Sequence, residues 1–413
     1  MALKVKRVLY ISYNGMLDPL GQSQVIPYLR ELSRHGLRFS LLSFERLAAG
    51  GSDQDARCEN LRHHLAQYNI EWHWLRYHQK PSLPATFYDV LAGVQLGRRL
   101  VMRNRVEMVH ARCGIPAAIA LTLKRRFKLK MICDVRGLIA EEYAEAGHWR
   151  EGNIPYRLMK TLERQAFAAA DGVVTLTEAI WPVIREWEGL RGRNVPHQVI
   201  PCCTDLQRFR FDPAARARRR AELNLDDNFV LVYSGSIGSW YLTDLMADFF
   251  LELLKQRPGA HFLWLTPGSH AAIKLLMQER GIKASQFTVR SVESAEVASY
   301  LSASDAGVAF YKPGFSKLAT SPVKIAEYLA CGLPIIINAG IGDSDALATR
   351  EQAGALVSDF TPQEYVQAVT TVLGMRGDIE ALRCRTREVA GRLFDLRGVG
   401  LERYVRLYEE AYR

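Results

Sequence analysis

Short runs rich in β-branched and aromatic residues recur along this chain, each followed by a segment of helical period. Strands alternating with helices build βαβ units, and such units make parallel sheets. Strand-like runs fall near Arg7–Tyr13, Leu37–Ser43, Met108–Arg112, Lys130–Val135, Gly172–Leu176 and Gln198–Ile200. A second series falls near Phe229–Gly235, His261–Leu265, Phe287–Arg290, Ala306–Phe310, Leu333–Asn338 and Ala355–Val357. Helical patterns such as Gln24–His35, Ala85–Arg103, Tyr156–Ala170, Thr243–Gln256, Ala295–Ala303 and Pro362–Leu373 lie between them. A chain of 413 residues exceeds one core of ordinary size, and the two series predict two domains. The stretch Val199–Asp227, with its proline and basic helical piece, is the predicted junction. The expected architecture is α/β: two doubly wound domains facing a cleft. Residues 1–200 with about 390–413 form the first, and residues 205–388 the second. The last helix, about Val399 to Tyr412, returns to the first domain. Ligands in such sheets bind at the carboxyl ends of the strands.

Charge divides the chain in the same place. Residues 1–200 hold 29 Lys and Arg against 19 Asp and Glu, whereas the remainder holds 25 of each. A basic half beside a neutral half suggests two surfaces with different partners. An anionic membrane surface and a phosphorylated acceptor fit the basic half; no recognisable motif supports nucleic acid. No apolar run approaches the roughly 18 residues of a membrane-spanning helix. The N-terminus lacks a signal-peptide pattern, so the expected location is cytoplasmic. Seven cysteines without CxxC spacing read as free thiols, and the histidines form no metal-ligand set, so no metal or cofactor is expected.

The stretch "TSPVKIAEYLACGLPII", Thr320 to Ile336, concentrates the chemistry. Ser321 is a suitable N-cap and Pro322 a suitable first helical residue, while Gly332 and Pro334 end the helix, giving Pro322–Cys331. The free amides of Val323 and Lys324 and the positive end of the helix dipole suit a phosphate. Lys324 is a cation at the wrong end of a helix unless an anion lies between it and the dipole. Glu327, one turn on, can accept two hydrogen bonds from a ribose diol. Three further segments place polar or glycine residues just past strand ends: "YSGSIGSWYLTDL" (Tyr233–Leu245), "YNGMLDPLGQSQVIPYLREL" (Tyr13–Leu32) and "CDVRGLIAEEY" (Cys133–Tyr143). Glycines there let backbone approach a ligand.

Together these segments resemble glycosyltransferase family 4, retaining nucleotide-sugar transferases of GT-B fold with two Rossmann-like domains. "SPVKIAEYLACGLPII" is similar to the family's nucleotide motif, "LVYSGSIGSWY" to its second glycine loop, "VIPCCTDLQRF" to its linker and "DPLGQSQVIPYLREL" to its first-domain loop. The resemblance implies that Ser321 and the amides at Val323 and Lys324 hold the diphosphate and that Glu327 holds the ribose. Ser234, Gly235 and Ser236 would close over the phosphates, and the backbone near Arg290, Ser291 and Val292 would read the base. Gly21 and Gln22 would approach from the first domain. Asp134 and Arg136 would flank the transferred sugar and, with Lys324, carry catalysis.

Two departures stand out. Ala319 occupies the position of the family's first, sugar-reading glutamate, and Ser236 to Leu242 lacks the usual pair of cations. The expected function is transfer, without a metal, from a nucleotide sugar to a lipid-linked, polysaccharide or other glycan acceptor in cell-surface glycan synthesis. Peripheral attachment to the inner membrane face goes with it. A nucleotide-sugar-binding protein with weak catalysis and a GT-B epimerase are the alternatives.

Overall fold

Among the described residues every strand pairs in parallel. A computed structural model describes residues 7–46, 52–80, 82–225, 227–238 and 240–413. The chain divides into two units, Met1–Pro201 with Leu396–Arg413, and Cys202–Asp395.

The first unit contains β1 (Arg7–Ser12), β2 (Arg38–Glu45), β3 (Ile70–Arg76), β4 (Met108–Arg112), β5 (Lys130–Asp134), β6 (Gly172–Thr175) and β7 (His197–Val199), in the order β3-β2-β1-β4-β5-β6-β7. The second contains β8 (Val230–Ser234), β9 (His261–Leu265), β10 (Phe287–Arg290), β11 (Ala306–Ala309), β12 (Ile335–Asn338) and β13 (Gly354–Val357), in the order β10-β9-β8-β11-β12-β13. Both sheets are therefore doubly wound, with order reversing between β1 and β4 and between β8 and β11. Alternate residues of β9 show why its sequence reads as an unbroken apolar run. Phe262 and Trp264 pack into one core with Phe249 and Phe250, while Leu263 and Leu265 pack into another with Ile325 and Leu329.

Strand β3, "IEWHWLR", escapes the sequence reading because it is an edge strand whose polar residues face outward. The expected helix Gln24–His35 is two pieces, Pro19–Gln24 and Ile26–Arg34. Pro27 at the second position of the later piece starts a new helix there.

The last helix, Glu402–Tyr412, follows a π-helical turn at Leu396–Leu401 and packs on the first unit. Arg403 Nη1 donates to the Val199 carbonyl, and Tyr404 meets Tyr28 edge to face. Gly400 is required here, since a Cβ would lie 2.6 Å from the Tyr28 ring.

Candidate active site

In the second unit the chemistry gathers around the helix Val323–Ala330, two residues shorter than its sequence suggests. Pro322, with φ −72° and ψ 122°, takes the N-cap position. Ser321 does not cap the helix; its hydroxyl accepts a hydrogen bond from the Cys202 amide at 3.1 Å. The other end forms as read: Gly332 takes φ +81°, with Gly332 N–H on the Leu329 carbonyl and Leu333 N–H on that of Tyr328. The helix start thus leaves amides to orient an anion.

Lys324 does not project into solvent as a mobile first-turn cation would; it is 7% exposed. Its Nζ lies 3.3 Å from the Tyr311 hydroxyl and 3.5 Å from that of Tyr233. It also stands 4.1 Å from the ring centre of Tyr241 and 4.7 Å from that of Tyr233. Aromatic faces stabilise an ammonium without neutralising it. Burial lowers Lys324 to about 7, with Glu327 working in the opposite direction. Burial likewise lifts half-buried Glu327 to about 7, against the pull of Arg208 and Lys324.

The glycine loop is shaped around this lysine. Gly235 has φ +142°, and a Cβ there would lie 2.9 Å from Lys324 Nζ. The Ser234 amide donates to the Tyr328 hydroxyl at 2.7 Å, and the Tyr233 hydroxyl donates to the Ser236 carbonyl. The loop's Ser239 lies outside the described residues. Past β10, the Arg290 side chain is taken by Glu222 and the Tyr300 hydroxyl, and its carbonyl accepts from the Thr266 amide. Ser291 Oγ bonds the Thr266 carbonyl at 3.1 Å, and Val292 packs into the core beside the helix.

A second buried cation, Lys317, was missed in the sequence. Its Nζ stands 4.0 Å from the ring centre of Trp240, in the loop that also carries Tyr241. Nothing at Lys317 itself signalled this, because the ring arrives from 77 residues upstream. Ala319 is buried and offers no polar group.

In the first unit Asp134 and Arg136 are internal. Arg136 Nε lies 2.9 Å from Asp134 Oδ1, and Asp134 Oδ2 receives the Tyr404 hydroxyl and His110 Nε2, each at 3.1 Å. His110 Nδ1 faces the Tyr408 hydroxyl at 2.8 Å. The pair therefore ties the returning helix to the sheet. Burial would raise the Asp134 carboxyl, but Arg136 and His110 hold it well below the usual range. Burial also lowers His110 and keeps it neutral. Gly21 packs so closely on the Gly15 carbonyl that a Cβ would clash at 2.3 Å, and Gln22 Nε2 donates to the Met16 carbonyl at 2.7 Å. Both order the loop after β1. Among the described residues, no three His, Cys, Asp or Glu side chains form a metal-binding group.

Two parallel doubly wound units with an anion-ready helix in the second define the GT-B class of transferases. Residues 228–375 match the family "Glycosyl transferases group 1", and residues 24–203 match "Glycosyl transferase 4-like domain". The chain belongs to the group 1, family-4-type glycosyltransferases. A D-inositol 3-phosphate glycosyltransferase from Kineococcus radiotolerans is 24% identical over 71% of this chain and 69% of its own. Among solved structures, a glycosyltransferase from Rickettsia africae superposes with a TM-score of 0.74 at 14% identity, covering 99% of each chain. HepE of Anabaena, in complex with UDP and glucose, gives 0.68 at 14% identity, covering 96% of this chain and 98% of its own.

Proposed function

We propose that this glycosyltransferase moves a sugar from a nucleoside-diphosphate donor to a glycan or lipid-linked acceptor, with retention at the anomeric carbon and without a metal. The observation that carries the reading is Lys324, held buried among tyrosines at the first turn of a helix with Glu327 one turn on. The diphosphate accepts from the Val323 and Lys324 amides and from the ammonium. Ser321 contributes as well: its oxygen accepts from Cys202, which leaves its proton to donate. Glu327 accepts from the ribose diol. Ser234, Gly235 and Ser236 border the phosphates, and the backbone at Arg290, Ser291 and Val292 borders the base.

In the reaction the bond from the anomeric carbon to the diphosphate oxygen breaks. The acceptor hydroxyl bonds that carbon on the same face and gives its proton to the departing phosphate oxygen. Charge builds on the diphosphate, where the fixed amides, the helix dipole and Lys324 stabilise it. Lys317 supplies a second cation, in place of the pair missing from the glycine loop. Asp134 and Arg136 act as positioning residues, fixing the strand ends beneath the acceptor side.

Replacing Lys324 by alanine is expected to cut turnover by about 10²-fold or more. Glu327→Ala raises the KM for the nucleotide sugar. Wild-type kinetics in both variants would refute the assignment. Buried Ala319 favours one competing reading, binding without turnover; calorimetric donor binding with neither transfer nor hydrolysis would select it.

The acceptor side is assigned to the basic first unit, at the inner membrane face. Its helix Ser82–Asn104 turns Leu83, Phe87, Tyr88 and Leu91 outward, followed by exposed Arg98 and Arg99. Apolar side chains beside cations suit an anionic lipid surface. Sedimentation with anionic but not neutral liposomes, weakened by salt, is expected. Equal binding to both removes this part of the reading.

A further inference from the structure

We propose that the first unit carries a subsite for an oxyanion, a phosphate or carboxylate group, at the carboxyl edge of β4, held by Arg112. Arg112 ends β4, with Ser12 of β1 and Asp134 of β5 as its register partners. Side chains two apart on a strand share a face, so Arg112 lies on the face of His110. That face is covered by the returning helix, through His110 and Tyr408. Arg112 is 5% exposed, yet its Nε and Nη1 have no hydrogen-bond partner.

The neighbouring carboxylate does not supply one. Asp134 is engaged by Arg136, His110 and Tyr404. Arg112 thus lies beside a carboxylate whose oxygens are already taken up by other groups. A buried charge and buried donors without partners are unfavourable unless something completes them. The planar fork of a guanidinium matches a carboxylate or phosphate through paired N–H bonds. Its position also fits a ligand, because β1 and β4 are where the strand order reverses. The oxyanion is assigned to an anionic group on the acceptor. The inference deepens the transferase reading, but its primary readout does not depend on transfer.

The test uses the full chain carrying Lys324→Ala, which weakens phosphate binding in the second unit. Inorganic phosphate, and acetate in parallel, are titrated by calorimetry and by thermal unfolding. Saturable binding of at least one anion is expected, weakened at least tenfold when Arg112→Gln is added. Arg112→Lys keeps the charge and retains weaker binding; it also separates a binding loss from a folding failure. Binding of neither anion to the Lys324→Ala chain overturns the proposal, as does binding that Arg112→Gln leaves unchanged. With Lys324 intact, UDP affinity is expected to be unchanged by Arg112→Gln, and a tenfold loss would overturn the assignment to the acceptor. A wild-type chain that fails to bind UDP counts against the donor reading of the second unit, while the phosphate result stands by itself.

Discussion

In the second unit a buried ammonium, Lys324, rests among tyrosine rings that favour its charge without cancelling it. In the first, Asp134 is buried with its oxygens shared among Arg136, His110 and Tyr404. The two sheets wind in the same order, so topology does not explain the contrast. A charge left without a counter-ion is available to a ligand, whereas one closed by internal partners serves as a clamp. One fold can therefore divide chemistry from structure by how it partners its buried charges.

The contrast is broken most strongly from the clamp side. Asp134→Ala removes the buried carboxylate that Arg136, His110 and Tyr404 share and is expected to destabilise the protein by about 3–5 kcal/mol, read by denaturant unfolding. Lys324→Ala is the counterpart: lost turnover with little loss of stability, because a buried charge with no counter-ion disappears. A variant that lost stability and kept its turnover would reverse the two roles. Gly235→Ala comes next, with an expected loss of about 1–3 kcal/mol from its left-handed backbone, together with weaker donor binding as Lys324 is displaced.

The smallest effect is on pH dependence. Between about 7 and its ordinary 10.5, native Lys324 has shed a proton that the unfolded chain keeps, so stability from this group rises with pH. Between 4.5 and about 7, native Glu327 holds a proton that the unfolded chain has lost, so stability falls as pH rises. The pair gives the donor-free protein a stability minimum near neutral pH. Thermal unfolding from pH 6 to 9 should show the rise above 7 in wild type and not in Lys324→Met. His110 acts with the opposite sign to Glu327 in mild acid: the unfolded chain protonates below 6.5 while the native ring stays neutral, so acid weakens the clamp.

Much of this was legible in the sequence where chemistry is local. Strands β4, β9 and β10 lie where their apolar runs place them, and Gly332 ends its helix as its type predicts. The Ser321-Pro322 opening misleads because the serine's partner, Cys202, lies 119 residues away. The surroundings of Lys324 were illegible for the same reason, since Tyr233, Tyr241 and Tyr311 converge only after folding. The helix Ile379–Phe394 escaped notice because its four arginines blur the buried stripe of Leu382, Thr386, Val389 and Ala390.

The returning helix has a consequence for the order of events during synthesis. The sheet of the first unit is complete in sequence by Val199, but Tyr404 and Tyr408 leave the ribosome only after the whole of Cys202–Asp395. Until then Asp134 and His110 lack their phenol partners, and the sheet face they share lacks its cover. The second unit, contiguous in the chain, meets no such delay. Although made later, it is free to finish folding first.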